Sequence, residues 1–421
     1  MLHFKQYVDS RTMFKKYLRY FSNQTKISQR ITAVLVIIIV AAIGTYLLKG
    51  SKAASPYAST NAASGSLGGN AQQVQNCSGA NNGSCVVFGA TASTTEPTVV
   101  GHELDLGTTG TRLKMRGVAI LGVGGVIGAK EYNNRQTVVN TIKAWGGNEI
   151  RLRVIACDYN NQTYMSQPQE LQEIQDWQTT AQAAGLYLSV AWWDSSACGS
   201  QSGAAWATAY PEAFPMMTAV INKLGPNNPW VFYEPFNEPN NISESEWLAA
   251  MQATEQLYRN NGYTGILVLD TNNYSNIYND TDMTTLETND ASLTGMNGKN
   301  QIIFAKHDYA TKYTNNPAVG FTPSQWPNNN GATSTWDFSK HLVWETEFGN
   351  YNIVNSQGFT SYPWSQGAAA WMAAKVNDGT LVGATAFVFT WTDANSITTG
   401  DDITPTQWGG YVENDFLGAV N

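Results

Sequence analysis

The sequence predicts an α/β protein: a (β/α)8 TIM barrel preceded by a single N-terminal transmembrane helix and a flexible linker. Three observations lead there. Eight strand-length runs recur between Met115 and Trp391, separated for the most part by helical patterns. Each run is apolar nearly throughout, as parallel strands covered on both faces are. About 320 residues follow Val99, the span that one such barrel with long loops occupies.

The N-terminus is the first element. Residues 1–30 form a polar, basic tail, expected in the cytoplasm. Ile31 to Leu48 is an uncharged apolar run, ITAVLVIIIVAAIGTYLL. At 1.5 Å per residue it just spans a bilayer core, with some thinning or help from its flanks. Seven of nine nearby basic residues precede it, and only Lys49 and Lys52 follow. The positive-inside rule therefore places everything after Leu48 outside the cell. A cleaved signal peptide is the rival, supported by Ala53-Ala54-Ser55; the apolar run and basic head are both too long for one, which favours an uncleaved signal-anchor.

Residues 49–98 are rich in Ser, Ala, Gly, Asn and Thr and are expected to be a flexible linker. Four cysteines in an exported chain argue for two disulfides. Cys77–Cys85 would pin a small loop, and Cys157–Cys198 would tie the loops after two neighbouring strands. None of the four has zinc-like spacing.

Residues 99–421 are expected to be the catalytic barrel. Leu104 and Leu106, then Thr108-Thr109-Gly110-Thr111, then Leu113 to Met115 read as an entry hairpin. The barrel strands follow at Met115–Ile120, Glu149–Ile155, Leu186–Trp192, Trp230–Phe236, Thr264–Leu269, Gln301–Ala305, Leu342–Glu347 and Leu381–Trp391. Helical patterns cover about 134–146, 169–184, 207–224, 243–261 and 364–378. Asn272–Asn300 and Tyr309–Lys340 are polar and Asn-rich, and are expected to be long loops over the mouth.

Composition narrows the function. Aromatic residues make up 12% of the chain, with 14 Trp, while charged residues are scarce at 13%. Such a protein suits stacking on sugar rings. Beyond residue 52 there remain 15 of the 24 basic and 31 of the 32 acidic residues, a net charge of −16. That body repels nucleic acid.

In a barrel of this kind the chemistry sits at the C-terminal strand ends. The polar residues there are Arg151 and Arg153, Asn237 and Glu238, His307 and Tyr309, Glu347, then Trp391 and Asp393. Two carboxylates with an Arg, a His and aromatic residues are what glycoside hydrolysis requires. One carboxyl protonates the leaving oxygen while the other attacks the anomeric carbon. Arg151 would keep its neighbour ionised as the nucleophile. Glu345, two residues before Glu347, would share its inward face if that strand alternates strictly. Glu347 is preferred because it lies nearer the strand end. Glu234 reads as a buried hydrogen-bonding group. Trp192, Trp193, Trp326, Trp336 and Trp364 divide between subsite platforms and packing.

Five motifs occur in order: Asn148-Glu149-Ile150-Arg151, Asn237-Glu238-Pro239, His307-Asp308-Tyr309, Glu347-Phe348-Gly349 and Phe389-Thr390-Trp391. Together they resemble glycoside hydrolase family 5, the cellulase and mannanase family, over roughly Gly101 to Asp393. The resemblance implies a retaining mechanism with Glu238 as acid/base and Glu347 as nucleophile. It also implies Arg151 beside the nucleophile, Asn237 on the sugar 2-hydroxyl, and His307, Tyr309 and Trp391 lining the cleft. One departure stands out. Many members carry a His near the end of the third strand, where this chain has Trp193 in the substrate-binding set.

The expectation is an outward-facing, membrane-anchored retaining glycosidase that cleaves a β-linked polysaccharide, foremost an endo-β-1,4-glucanase. It needs no cofactor or metal and works as a monomer. A β-mannanase, xylanase or exo-β-glycosidase on the same barrel is the enzymatic alternative. A non-catalytic carbohydrate-binding surface protein is the other.

Overall fold

The computed structural model describes residues 71–75, 84–88, 96–107, 110–193, 213–309, 320–326, 335–354, 357–360, 362–390 and 396–420. They fall in two compact units divided at Ala92 and Ser93. In the first, β1 (Ala71–Gln75) and β2 (Ser84–Phe88) pair antiparallel. This hairpin lies where composition predicts linker. The cue missed was local: Val74, Val86 and Val87 are strand formers inside a polar tract. The Ile31–Leu48 run lies outside the described residues, among which no helix is long and apolar enough to cross a membrane. Cys157 is not a free thiol; its partner and the expected Cys77–Cys85 and Cys157–Cys198 pairings lie outside the described side chains.

The second unit begins with β3 (Pro97–Val100) and β4 (Glu103–Leu106), an antiparallel pair. The expected entry hairpin is also present, since Leu113 N–H donates to Leu104 O at 2.7 Å. Eight parallel strands then close a barrel. They are β5 (Met115–Ile120), β6 (Glu149–Ile155), β7 (Tyr187–Trp193), β8 (Val231–Glu234), β9 (Leu267–Asp270), β10 (Ile302–Tyr309), β11 (Val343–Gly349) and, after a small hairpin of β12 (Tyr351–Val354) and β13 (Gln357–Thr360), β14 (Gly383–Phe387). All eight match predicted runs. The last is shorter than predicted, ending at Phe387 rather than Trp391, and Trp391 itself lies outside the described residues.

Helices α1 (Gly125–Asn133), α2 (Arg135–Ala144), α3 (Ala156–Asn161), α4 (Gln167–Ala183), α5 (Phe214–Leu224), α6 (Glu244–Asn260), α7 (Asp280–Ser292), α8 (Tyr362–Asp378) and α9 (Gln407–Tyr411) follow the strands. Capping boxes start two of them, Ser166 with Gln169 and Ser243 with Glu246, so orphan amide donors are satisfied locally. Helix α7 corrects the reading of Asn272–Asn300 as loop. The Asn279 side chain accepts from Asp282 N–H at its start, and only Met283, Leu286 and Asp290 are buried. Such a narrow stripe gives almost no amphipathic signal. Its one buried acid is held by Arg259, with Nε 2.7 Å from Asp290 Oδ1.

Packing stratifies the barrel interior. At the base, Leu104, Leu113, Met115, Tyr187, Trp230, Phe232, Val268, Ile303 and Trp344 form an apolar plug. Polar groups begin one layer up with Glu149, which accepts from Thr385 Oγ1 at 3.1 Å. A Cβ on Gly117 would lie 1.4 Å from its Oε2, so only glycine admits this carboxyl. Burial pushes the Glu149 carboxyl up to about 8, so it sits there protonated at neutral pH. Trp192, Trp326, Trp336 and Trp364 are all buried in the shell between barrel and helices. They pack the body and offer no exposed platform.

Candidate active site

The site grows from the inward face of the strand ends. Arg151 projects from β6, where alternation with Glu149 turns it inward. Its guanidinium is almost fully buried and spends itself on three partners. Nε and Nη2 donate to Glu234 Oε2 and Oε1 at 2.7 and 2.5 Å, a bidentate pair. Nη1 donates to Glu347 Oε1 at 2.6 Å, and Nη2 also to Asn237 Oδ1 at 2.6 Å. Burial alone would lower the Arg151 pKa, but Glu234 and Glu347 hold it well above the ordinary value. The structure thus brings together four of the residues on which the sequence reading turned.

Glu347 is fixed from a second side, because the Tyr309 hydroxyl donates to its Oε2 at 2.6 Å. Gly349 makes room for that ring: a Cβ there would meet Tyr309 Cε1 at 2.7 Å. Burial first, and then Glu347, hold the Tyr309 hydroxyl well above its usual range, so it stays a donor.

Glu238 lies beyond the end of β8 with φ 52°, a left-handed conformation. In a residue other than glycine this costs about 1–2 kcal/mol. Three bonds hold the turn. Asn237 N–H donates to Trp192 O at 2.7 Å, Glu238 N–H to Asp270 Oδ2 at 2.9 Å, and Asn240 Nδ2 to Glu238 O at 2.9 Å. The result is a carboxyl 27% exposed, against 4% for Glu347. His307 is hydrogen-bonded through Nδ1 to Glu238 Oε1 and through Nε2 to Thr346 Oγ1, each at 2.9 Å. A carboxyl oxygen of Glu238, one of Glu347 and a His307 ring nitrogen lie within 4.8 Å of one another.

Aromatic residues line one side. Trp193, half-buried, stacks on Phe387 with centroids 5.5 Å apart and 15° between planes. Its ring lies 5.9 and 5.4 Å from the guanidinium carbons of Arg151 and Arg153. Tyr309 meets Phe387 edge-on at 6.1 Å. Phe387 was missed because the last strand was read four residues too long. The signal was available in the alternation that turns Thr385 and Phe387 the same way. Asp270 and Thr346 were missed too, and Asp270 was visible only as the last residue of an apolar run.

Two trios could in principle hold a cation: Glu238, His307 and Glu347, and below them Glu234, Asp270 and His307. Arg151 already supplies positive charge to both clusters, and both His307 nitrogens are bonded to protein groups. Chemically, the upper trio offers one oriented carboxyl group beside a cation and a second, partly exposed carboxyl with an oxygen within 4.8 Å of it.

The sequence model for Cellulase (glycosyl hydrolase family 5) matches residues 107–392. The chain belongs to glycosyl hydrolase family 5. Solved structures share the family-5 barrel at low identity. A β-glucanase from Saccharophagus degradans, solved with cellotetraose, is 18% identical with a TM-score of 0.58, covering 78% of this chain and 95% of its own. A β-mannanase from Streptomyces thermolilacinus is 16% identical at 0.56, covering 77% and 97%. The catalytic domain of a mannanase from Streptomyces sp. SirexAA-E is 17% identical at 0.56, covering 78% and 93%. At these identities the likeness is one of fold. No curated protein matches the chain.

Proposed function

We propose that this family-5 protein is a retaining glycosidase that hydrolyses a β-linked polysaccharide, foremost a β-1,4-glucan, by internal cleavage. The observation that carries the reading is that one carboxyl oxygen of Glu238 lies within 4.8 Å of one of Glu347. Retaining enzymes hold their carboxyls about 5–5.5 Å apart, whereas inverting enzymes leave about 6.5–9.5 Å for a water.

Glu347, bonded to Arg151 and aimed by Tyr309, attacks the anomeric carbon. Glu238, more exposed and bonded to His307, gives its proton to the leaving oxygen. A water then enters, Glu238 takes its proton, and the glycosyl ester on Glu347 is hydrolysed with net retention. Asn237 is placed for the 2-hydroxyl, its Oδ1 turned to Arg151 and its NH2 left as the donor. Trp193 and Phe387 support a sugar face. With Trp193 where many members have a His, mannan is the second substrate to test.

The test is a panel of β-glucan, mannan and xylan, with products sized and their anomeric configuration followed by NMR. Retention with short oligosaccharides from one polymer is expected, abolished in both Glu238→Gln and Glu347→Gln. Inversion, or full activity in both variants, overturns the reading; binding without cleavage favours the carbohydrate-binding alternative.

The basic tail and the Ile31–Leu48 run support a second proposal, that the barrel is held on the outer face of a membrane. A mature protein that begins after residue 50 and washes off membranes refutes it.

A further inference from the structure

We propose that Asp270 is a positioning residue of this site: its carboxyl, joined to Glu234 by a shared proton, fixes the peptide that carries Glu238. No motif singled it out, and no step of the hydrolysis above uses it. Yet it ends β9 on the inward face, fully buried beneath the two principal carboxyls.

The geometry has three parts. Oδ2 accepts the Glu238 N–H at 2.9 Å, the bond that faces a backbone held at φ 52°. Oδ1 has no hydrogen-bond donor among the described residues. It faces His307 Nε2 at 3.5 Å, and donor atoms of Glu234, Asp270 and His307 lie within 4.8 Å of one another.

Two carboxyls this close in a buried site do not both ionise; one keeps a proton and donates it to the other. Arg151 makes its bidentate pair with Glu234 and not with Asp270, so Glu234 carries the charge and Asp270 the proton. Burial, then the Glu234 charge, push the Asp270 carboxyl in the same direction. A neutral acid here serves two ends. It offers an acceptor to the strained Glu238 peptide, and it adds no second charge for Arg151 to balance, leaving the guanidinium for Glu347.

The kinetic test rests on the assignment of Glu238 as acid/base. Asp270→Asn keeps both bonds, its Oδ1 for the Glu238 N–H and its NH2 for Glu234. It should keep kcat within about threefold, because no hydrogen bond is lost. Asp270→Ala frees the peptide. On a sugar leaving group, which needs protonation, kcat/KM should fall by about a hundredfold. On a dinitrophenyl glycoside, which leaves unaided, kcat/KM, which reports the step before ester hydrolysis, should fall by under about tenfold. A merely structural role predicts equal losses on both substrates. If Asp270→Ala does not fold, Asp270→Ser carries the comparison.

A second arm needs no activity. The infrared difference between wild type and Asp270→Asn at pH 7 should show loss of a protonated carboxyl band. Equal losses on both leaving groups, Asp270→Asn as damaged or unfolded as Asp270→Ala, or loss of an ionised carboxylate band each overturn the proposal. If the wild type cleaves no glycoside, the functional reading falls while the infrared arm still decides the shared proton.

Discussion

Arg151→Met tests the electrostatic centre of the barrel most directly. The substitution keeps most of the stem and removes a guanidinium that serves two buried carboxylates. Breaking a buried pair in this way costs about 3–5 kcal/mol, because the partners stay behind as uncompensated charges. For a body of about 330 residues, an unfolding entropy near 2.1 cal/mol/K per residue makes each kcal/mol worth about 1.5 °C. Tm at pH 7 should therefore fall by about 5–8 °C. The pH dependence gives the argument its edge. Burial already holds the Glu234 carboxyl above its ordinary value against the pull of Arg151, and removing the guanidinium raises it further. As pH falls through and below the unfolded Glu value of about 4.3 that carboxyl is protonated in either state, and its electrostatic cost fades. It grows as pH rises and levels off above the raised folded value. Calorimetric scans of both proteins from pH 4 to 8 should show the gap in Tm opening with pH. A gap equal at pH 4 and pH 7 would mean that Arg151 contributes packing alone, and the charge argument would fail.

Other outcomes follow from single contacts. Tyr309→Phe removes a hydrogen bond to a carboxylate worth about 1.5–3 kcal/mol, and should lower Tm by about 2–4 °C and kcat by about 10- to 100-fold; an unchanged kcat would show that the hydroxyl does not orient Glu347. Lys306 is fully buried and pairs with Asp308 and, at 3.9 Å, with Glu345. Lys306→Met should cost about 3–5 kcal/mol in urea unfolding, while molecules that remain folded keep their kcat/KM; a selective loss of activity would place Glu345 in the chemistry. Trp326 stacks on Phe338 at 4.2 Å beneath the surface. Trp326→Ala should destabilise by about 3–5 kcal/mol without raising KM for polysaccharide, and a raised KM in folded protein would restore it as a sugar platform.

Much of the barrel was legible because its signals are strong and local. Buried parallel strands need long apolar runs, and helices such as α6 announce themselves with Ser243 and Glu246. Arg151, Asn237, Glu238, His307, Tyr309 and Glu347 were legible because strand ends gather polar residues onto one face. The rest depended on contacts that no local pattern encodes. Helix α7 hides its few buried side chains among polar ones. Asp270 looks like the polar stop after an apolar run, and its partners Glu234 and His307 lie 36 and 37 positions away. Trp326 and Trp336 are chemically indistinguishable from sugar platforms until burial is known. Of the five tryptophans weighed as platforms, Trp193 alone is half-buried, beside Arg151.

The choice between Glu345 and Glu347 shows how a single irregularity decides the chemistry. Leu342, just before β11, and Trp344 on it belong to the apolar plug inside the barrel. Strict alternation from there would turn Thr346 and Phe348 inward and both glutamates outward. The pairing with β10 runs Lys306 with Glu345, then His307 with Glu347, so Thr346 is an extra residue, a β-bulge. The bulge shifts the phase. Glu345 stays on the outer face near Lys306, Phe348 packs outside against Phe416 at 5.0 Å, and Glu347 turns in to meet Arg151 and Tyr309. Thr346, the inserted residue, meets His307 Nε2 and so holds the ring whose other nitrogen bonds Glu238. The alternation that would give Glu345 the inward face of Glu347 therefore fails, because the bulge lies between them. One inserted residue both delivers one carboxyl to the site and, through His307, orients the other.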